Sequence, residues 1–271
     1  MSFTRPSTFI SRLKLAHIVS TAIVLSLLQG LALAQTPPQS VTVLQYRHVP
    51  AEHVPEFLYR ETTYWSKVAQ KAVDSGKMSF WALLEQVGGH NLGDSPNYLF
   101  INTVRDVDAL GDVFNPAGMF PGVPLASIGT DTISTTTDTY FLSVADVTAA
   151  AGADPARDFK YLALNYHSAS SSSAFLDLER QHWLPFIKTA MDKKQTAQVG
   201  WTHGYLIAPL GNGIPFNTVS FDVYPSLQKT LMPAWASDLV VPADGMEKIN
   251  ALRSAPMGTA IYRIVHVVSA Q

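Results

Sequence analysis

The chain has 271 residues, of which 47 % are apolar and 15 % are charged. This balance is typical of a folded globular protein and excludes the disordered and collagen-like classes. The formal net charge of −2 is not accompanied by a basic patch, which argues against a nucleic-acid partner. The absence of cysteine excludes disulfide frameworks and thiolate metal sites.

Residues 1–34 have the pattern of a cleaved secretory signal. A short basic stretch comes first, with Arg5, Arg12 and Lys14. The apolar run of residues 16–31 follows, and an A-x-A cleavage site ends at Ala34. An uncleaved membrane anchor is the alternative, because the run approaches the length of a short transmembrane helix. Cleavage would change the net charge from −2 to −5. We therefore expect an exported protein, periplasmic or secreted, without membrane attachment after cleavage.

The rest of the chain contains an internal repeat. The pattern F-L-x-x-E-x-x-x-W begins at Phe57 and again at Phe175, and Trp81 has its counterpart in Trp201, 120 residues later. Several matched segments in one order indicate two copies of one structural unit rather than chance similarity.

Each copy predicts the same order of elements: strand, long helix, strand, Gly- and Pro-rich turn, strand, weaker helical region and strand. In the first copy we expect strands at 41–48, 79–87, 97–104 and 139–147, with the helix over 52–75. In the second copy we expect strands at 159–167, 199–208, 217–224 and 259–268, with the helix over 172–195. This βαββαβ order is ferredoxin-like. The sequence thus predicts an α+β protein with a signal peptide at 1–34 and ferredoxin-like units at 35–150 and 151–271.

Three motifs carry a family resemblance: the E-x-x-x-W helix, the Gly76-Lys77-Met78-x-x-Trp81 segment and the Pro96-Asn97-Tyr98 strand start. Together they resemble the dimeric α/β-barrel superfamily, which includes antibiotic-monooxygenase-like, NIPSNAP-like and stress-responsive barrel domains, and within it an exported bacterial branch. The resemblance covers residues 41–268 and implies that the two units pair their sheets as an intramolecular pseudo-dimer. The superfamily includes oxygenases, cyclases, haem proteins and members without known activity, so the fold does not select a function.

Alternation along the strands separates two faces of each sheet. We expect the apolar face to lie beneath the helices, with Leu44, Tyr46, Leu99, Ile101, Leu164, Tyr166, Val219 and Phe221. The other face mixes aromatic and polar side chains, as a small-molecule pocket requires. We assign this face to the barrel interior as a ligand pocket lined by Gln45, Arg47, Trp81, Tyr98, Asn102, Asn165, His167, Trp201, His203 and Asp222.

Glu61 and Glu179 lie within the apolar stripes of the two long helices. An unpaired buried carboxylate costs several kcal/mol, so each must find hydrogen-bond donors or become neutral. One interpretation is a structural clasp to donors beneath the helix, and the other is a general acid or base with a raised pKa. Their presence in both copies favours the clasp.

The leading functional hypothesis is an exported protein that binds a small, partly aromatic ligand between the two sheets. The alternative is a cofactor-independent oxygenase, isomerase or cyclase that uses His203 or His167 as a base oriented by Asp222. Haem binding is a further alternative, because some tandem barrels of the superfamily carry haem, although no axial histidine can be assigned. The sequence requires no cofactor or metal. Copies could associate into a homo-oligomer through exposed strand edges.

Overall fold

The computed structural model describes residues 40–89 and 96–270, so the predicted signal segment lies outside the described residues. The strands in chain order are β1 (Val41–His48), β2 (Met78–Gly89), β3 (Tyr98–Val104), β4 (Thr135–Ala149), β5 (Tyr161–His167), β6 (Gly200–Ala208), β7 (Thr218–Tyr224) and β8 (Gly258–Ser269). Their positions follow the predicted ones closely, because each strand is an alternating run bounded by turn residues.

Two long helices dominate the helical structure. Helix α1 consists of Val54–Arg60, a π-helical turn at Glu61–Trp65 and Ser66–Asp74. Helix α4 repeats this plan with Ser172–Leu178, a π-helical turn at Glu179–Trp183 and Leu184–Asp192. The shorter helices are α2 (Leu110–Val113), α3 (Pro155–Asp158), α5 (Leu227–Leu231) and α6 (Ala243–Ala251). Within the described ranges, no helix combines the length and apolarity needed to cross a bilayer.

The eight strands close into a barrel in the order β1-β3-β2-β8-β5-β7-β6-β4. Each half contributes four adjacent strands in ferredoxin-like order, and the halves join through the antiparallel pairs β2–β8 and β4–β6. The predicted α+β fold with two ferredoxin-like units in one barrel is confirmed. Closure pairs every one of these eight strands on both sides, so they offer no free edge for the edge-to-edge association that the sequence allowed.

The barrel interior is filled by the face that we predicted beneath the helices, so that assignment of the two faces was wrong. The interior cluster draws buried residues from all eight strands and includes Leu44, Tyr46, Leu99, Ile101, Leu164, Tyr166, Val219 and Phe221. The hydroxyls of Tyr46 and Tyr166 lie 2.7 Å apart, although β1 and β5 are on opposite sides of the barrel. An eight-stranded barrel has an interior just wide enough for side chains to fill. The space between the two sheets, where we predicted the ligand, is therefore occupied by these buried side chains.

The mixed face lies outside the barrel and packs beneath the long helices. In the first half, Trp81, Tyr98 and Phe100 belong to one apolar cluster with Phe57 of α1. In the second half, Trp201 packs with Ile187 of α4. The halves differ in their second helical region, because α6 has nine residues, whereas the connection formed by residues 105–134 in the first half has the four-residue α2 and a 3-10 turn at Leu125–Ser127.

Candidate ligand-binding site

A cavity of about 400 Å³ lies in the first half, between the outer face of the sheet, helix α1 and the 105–134 connection. Its lining residues are Val43, Gln45, Arg47, Glu61, Trp65, Trp81, Phe100, Asn102, Leu110, Gly111, Phe114, Thr130, Asp131, Thr139 and Phe141. Aromatic and aliphatic walls with a few polar groups, at this volume, are typical of a small-molecule site.

The two π-helical turns coincide with the repeated E-x-x-x-W segments. A π turn is wider than an α-helical turn and is frequent at functional sites. In the first half, the turn places both Glu61 and Trp65 in the cavity wall. The indole Nε1 of Trp65 donates a hydrogen bond of 2.9 Å to the carbonyl oxygen of Ile128, which joins α1 to the 105–134 connection.

The Glu61 carboxyl is the most deeply buried acidic group of the cavity, at 3 % exposure. The hydroxyl of Thr130 donates a 2.8 Å hydrogen bond to its Oε1. Arg47 Nη1 donates to the same hydroxyl oxygen at 3.1 Å and to the Ser134 hydroxyl at 3.0 Å. Thr130 thus stands between Arg47 and Glu61. Burial raises the pKa of Glu61 to about 7, although the Thr130 hydrogen bond and the Arg47 charge oppose that rise.

This raised pKa makes the stability of the protein depend on pH. The folded-state pKa of Glu61, about 7, exceeds the ordinary value of 4.5, so its contribution is present below pH 4.5 and is lost as the pH rises through 7. We expect Glu61→Gln to leave the free energy of unfolding near that of the wild type at pH 4 and to raise it by about 3 kcal/mol at pH 8. Urea unfolding at several pH values measures the difference, and a constant difference would contradict this expectation.

The corresponding carboxyl of the second half, Glu179, is held by a histidine. His203 is fully buried, with Nδ1 2.7 Å from Glu179 Oε2 and Nε2 2.7 Å from Asp146 Oδ2. Arg180 Nε donates to the same Asp146 oxygen at 2.9 Å. Burial raises the pKa of Glu179, while the bond to His203 opposes the rise. Partial burial also raises the pKa of Asp146, but bonds from His203 and Arg180 outweigh it and hold that pKa below its usual value.

Asp222 has other partners than the predicted histidines. Asn165 donates to one of its carboxylate oxygens at 2.8 Å and Gln198 donates to the other at 3.0 Å. Burial raises the pKa of Asp222 to about 6, although these two hydrogen bonds act to lower it. The Nε2 atom of His167 instead lies 3.2 Å from the Ser220 hydroxyl, and burial, with the nearby Arg253 charge, lowers the pKa of His167 to about 3. The predicted histidine–Asp222 base is therefore not formed.

The structure divides the ten predicted pocket residues between two places. Gln45, Arg47, Trp81 and Asn102 line the cavity. Tyr98 lies beside the cavity, and its ring centre is 4.9 Å from that of Phe57. The other five lie in the second half, outside the cavity: Asn165, His167, Trp201, His203 and Asp222. The polar groups of the second half are largely used in bonds to one another.

Sequence reasoning missed several cavity residues. Trp65 had a usable signal, because it ends the repeated motif that also contains Glu61. The sequence signal for Phe100 and Phe141 was limited to their alternation with barrel-interior residues along β3 and β4. No sequence signal pointed to Thr130, because it lies in a connection whose path depends on the packing of the whole half.

A metal or haem does not suit this cavity. Within residues 40–89 and 96–270, no group of three or more His, Cys, Asp or Glu side chains is arranged to hold a metal ion. Haem iron takes an axial His, Cys, Met or Tyr, and the described residues that line the cavity include none of these types. The haem alternative therefore finds no axial ligand there.

No family model and no curated protein matches the chain. Among solved structures, it is similar to a candidate monooxygenase from Lactobacillus acidophilus NCFM, at 10 % identity over 85 % of this chain and 95 % of that chain, with a TM-score of 0.54. A second candidate monooxygenase, from Fusobacterium nucleatum, has 10 % identity over 85 % and 94 % of the two chains and a TM-score of 0.53.

A variant of chlorite dismutase from Candidatus Nitrospira defluvii, in complex with cyanide, has 10 % identity over 84 % of this chain and 92 % of that chain, with a TM-score of 0.45. At 10 % identity, the likeness to the two monooxygenase structures shows the fold alone and leaves activity open. The chain has the dimeric α/β-barrel fold, with both units in one polypeptide.

Proposed function

We propose that this dimeric α/β barrel binds a small, partly aromatic ligand in the first-half cavity, beneath helix α1 and not between the two sheets. The observation that carries the proposal is a buried carboxyl, Glu61, in the wall of a cavity of about 400 Å³ with several aromatic rings. Ligand sites are usually concave, mostly apolar and fitted with a few polar groups of this kind.

We also propose that the protein acts after export, as a member of an exported bacterial branch of the superfamily. The support is the signal-like pattern of residues 1–34, with its basic start, apolar run and A-x-A site. Export would place the cavity in the periplasm or outside the cell, where the lack of cysteine makes the fold indifferent to oxidising conditions.

Native mass spectrometry of protein purified from its exporting host tests both parts. We expect the native protein to be heavier than the denatured chain, and this excess mass identifies a bound ligand. We also expect the denatured mass to match a chain that begins at Gln35. Gly111 lines the cavity, and a Cβ atom added there has no atom within 4 Å, so the site has space for a larger side chain. Gly111→Trp should therefore abolish the excess mass, whereas Gly213→Trp, at a similarly open glycine in the β6–β7 turn, should retain it. An excess mass that survives Gly111→Trp would contradict the assigned cavity.

An enzyme is the second candidate function, and the raised pKa of Glu61 favours it. A carboxyl that titrates near pH 7 can accept or donate a proton at neutral pH, as general acid–base catalysis requires. The monooxygenase assignments of the two similar structures are in keeping with this reading. Conversion of the recovered ligand by the wild type, with loss of conversion in Glu61→Gln, would establish it.

A further inference from the structure

The cavity wall offers both aromatic faces and a carboxyl that forms no ion pair within the described residues. Trp65, Trp81 and Phe100 are among its rings, and aromatic faces attract cations through their quadrupole. Within the described residues, Glu61 receives a side-chain hydrogen bond from the Thr130 hydroxyl and forms no ion pair. Asn102, 7 % exposed in the same wall, has an Oδ1 atom without a hydrogen-bond partner. Among the fully buried polar side-chain atoms of this wall, the one without a partner is thus an acceptor.

Arg47 is the one basic residue among the described residues that line the cavity, and two of its three guanidinium nitrogens, Nη1 and Nε, are hydrogen-bonded. Nη1 bonds to Thr130 and Ser134, and Nε donates to Gln45 at 3.3 Å. The guanidinium carbon also lies 5.4 Å from the centre of the Phe100 ring. These contacts hold Arg47 against the wall, and Asp131 adds a second acidic side chain to the lining.

The second half shows what a carboxyl at this position takes as its partner. Glu179 has a ring nitrogen of His203 at 2.7 Å. At the position of His203, the first half carries Leu83, which pairs with Phe100 across β2 and β3 as His203 pairs with Ser220 across β6 and β7. Glu61 thus lacks the ring-nitrogen partner that Glu179 has, and it lies in the wall of a cavity instead.

We infer that the ligand of this cavity is a small organic cation, an ammonium group on an aromatic or apolar body, with the nitrogen at Glu61. This inference rests on the proposed function and names its ligand class. The ammonium takes the role that His203 plays for Glu179, and the body of the ligand packs on the indole and phenyl rings. A carboxylate ligand would instead face Glu61 and Asp131, at a cost from like-charge repulsion.

Three probes of nearly equal shape test the inference: 2-phenylethylamine, 2-phenylethanol and phenylacetate. Titration calorimetry of the purified protein at pH 8 should show the amine binding about tenfold or more tightly than the alcohol, with phenylacetate weakest. Glu61→Gln should weaken amine binding about tenfold and leave alcohol binding nearly unchanged. Glu179→Gln, the same change in the second half, should alter neither.

The pH dependence gives a second readout. The charged groups that act on Glu61 from the surrounding elements are Arg47 on β1 and Asp131 in the 105–134 connection. Amine binding should strengthen from pH 5 to pH 8, as Glu61 loses its proton, and Glu61→Gln should abolish that slope. A flat profile in the wild type would overturn the inference.

The remaining outcomes separate the two proposals. Equal or tighter binding of the alcohol or phenylacetate, lost in Gly111→Trp, overturns the cation inference and leaves the cavity as a ligand site. Amine binding that survives both Glu61→Gln and Gly111→Trp overturns the inference by placing the amine elsewhere. Absence of binding by all three probes, together with no excess mass in the native protein, overturns both.

Discussion

Substitution of His203 by alanine should lower the free energy of unfolding by about 3–5 kcal/mol at pH 8. His203 is fully buried between Glu179 and Asp146, and its removal leaves the buried Glu179 carboxyl without its nitrogen partner. An uncompensated buried charge is among the most costly defects in a folded protein. The loss should shrink as the pH falls, because burial raises the pKa of the Glu179 carboxyl and a protonated carboxyl carries no charge.

Two further variants separate the hydrogen bonds of His203 from its volume. His203→Leu introduces the residue type found at Leu83 and fills the space without donating a bond, so it should cost nearly as much as alanine at pH 8. Arg180→Ala removes the half-exposed end of the same network, where an ion pair is worth about 1 kcal/mol or less. Urea unfolding of the three variants at pH 5 and pH 8 provides the comparison. A loss below about 1 kcal/mol in His203→Ala would show that the network is not a stabilising clasp.

Trp81→Ala should abolish ligand binding and lower the free energy of unfolding by about 3–5 kcal/mol. Trp81 is 2 % exposed, lines the cavity and packs 6.1 Å from the Phe100 ring centre. Loss of its indole opens the wall on which the ligand rests. Native mass spectrometry and probe titration measure the binding, and far-ultraviolet circular dichroism checks that the barrel remains folded.

The repeat provides a matched control in Trp201→Ala. Trp201 is equally buried, but it packs against Ile187 and Met191 of α4 and lies 4.6 Å from the His203 ring centre, outside the cavity. A similar loss of stability is expected, with binding unchanged. Equal loss of binding in both variants would mean that Trp81→Ala weakens binding through general destabilisation and not through loss of the cavity wall.

The order and bounds of the strands could be read from the amino-acid sequence because strand signals are local. The strand predicted at 41–48 is Val41–His48, and the one predicted at 199–208 is Gly200–Ala208. Alternating hydrophobicity, turn residues and the 120-residue repeat act over short windows, and together they specify two ferredoxin-like units. Burial of Glu61 and Glu179 was also predictable, since both lie within apolar helical stripes.

Two features of the site were not predictable from those patterns. A period of two separates the faces of a strand but does not say which face turns inward. Here barrel closure decides, because the narrow interior accepts the apolar face with Tyr46 and Tyr166 and leaves the polar face to the helices. The second feature is the copy that holds the cavity. It depends on one side chain in each half, because His203 lies within bonding distance of Glu179, whereas Leu83 has no polar atom to offer Glu61. It also depends on the length of the helix after the third strand of each half, which is α2 in the first half and α6 in the second. Both are contacts between residues distant in sequence, so the tertiary packing alone determines them.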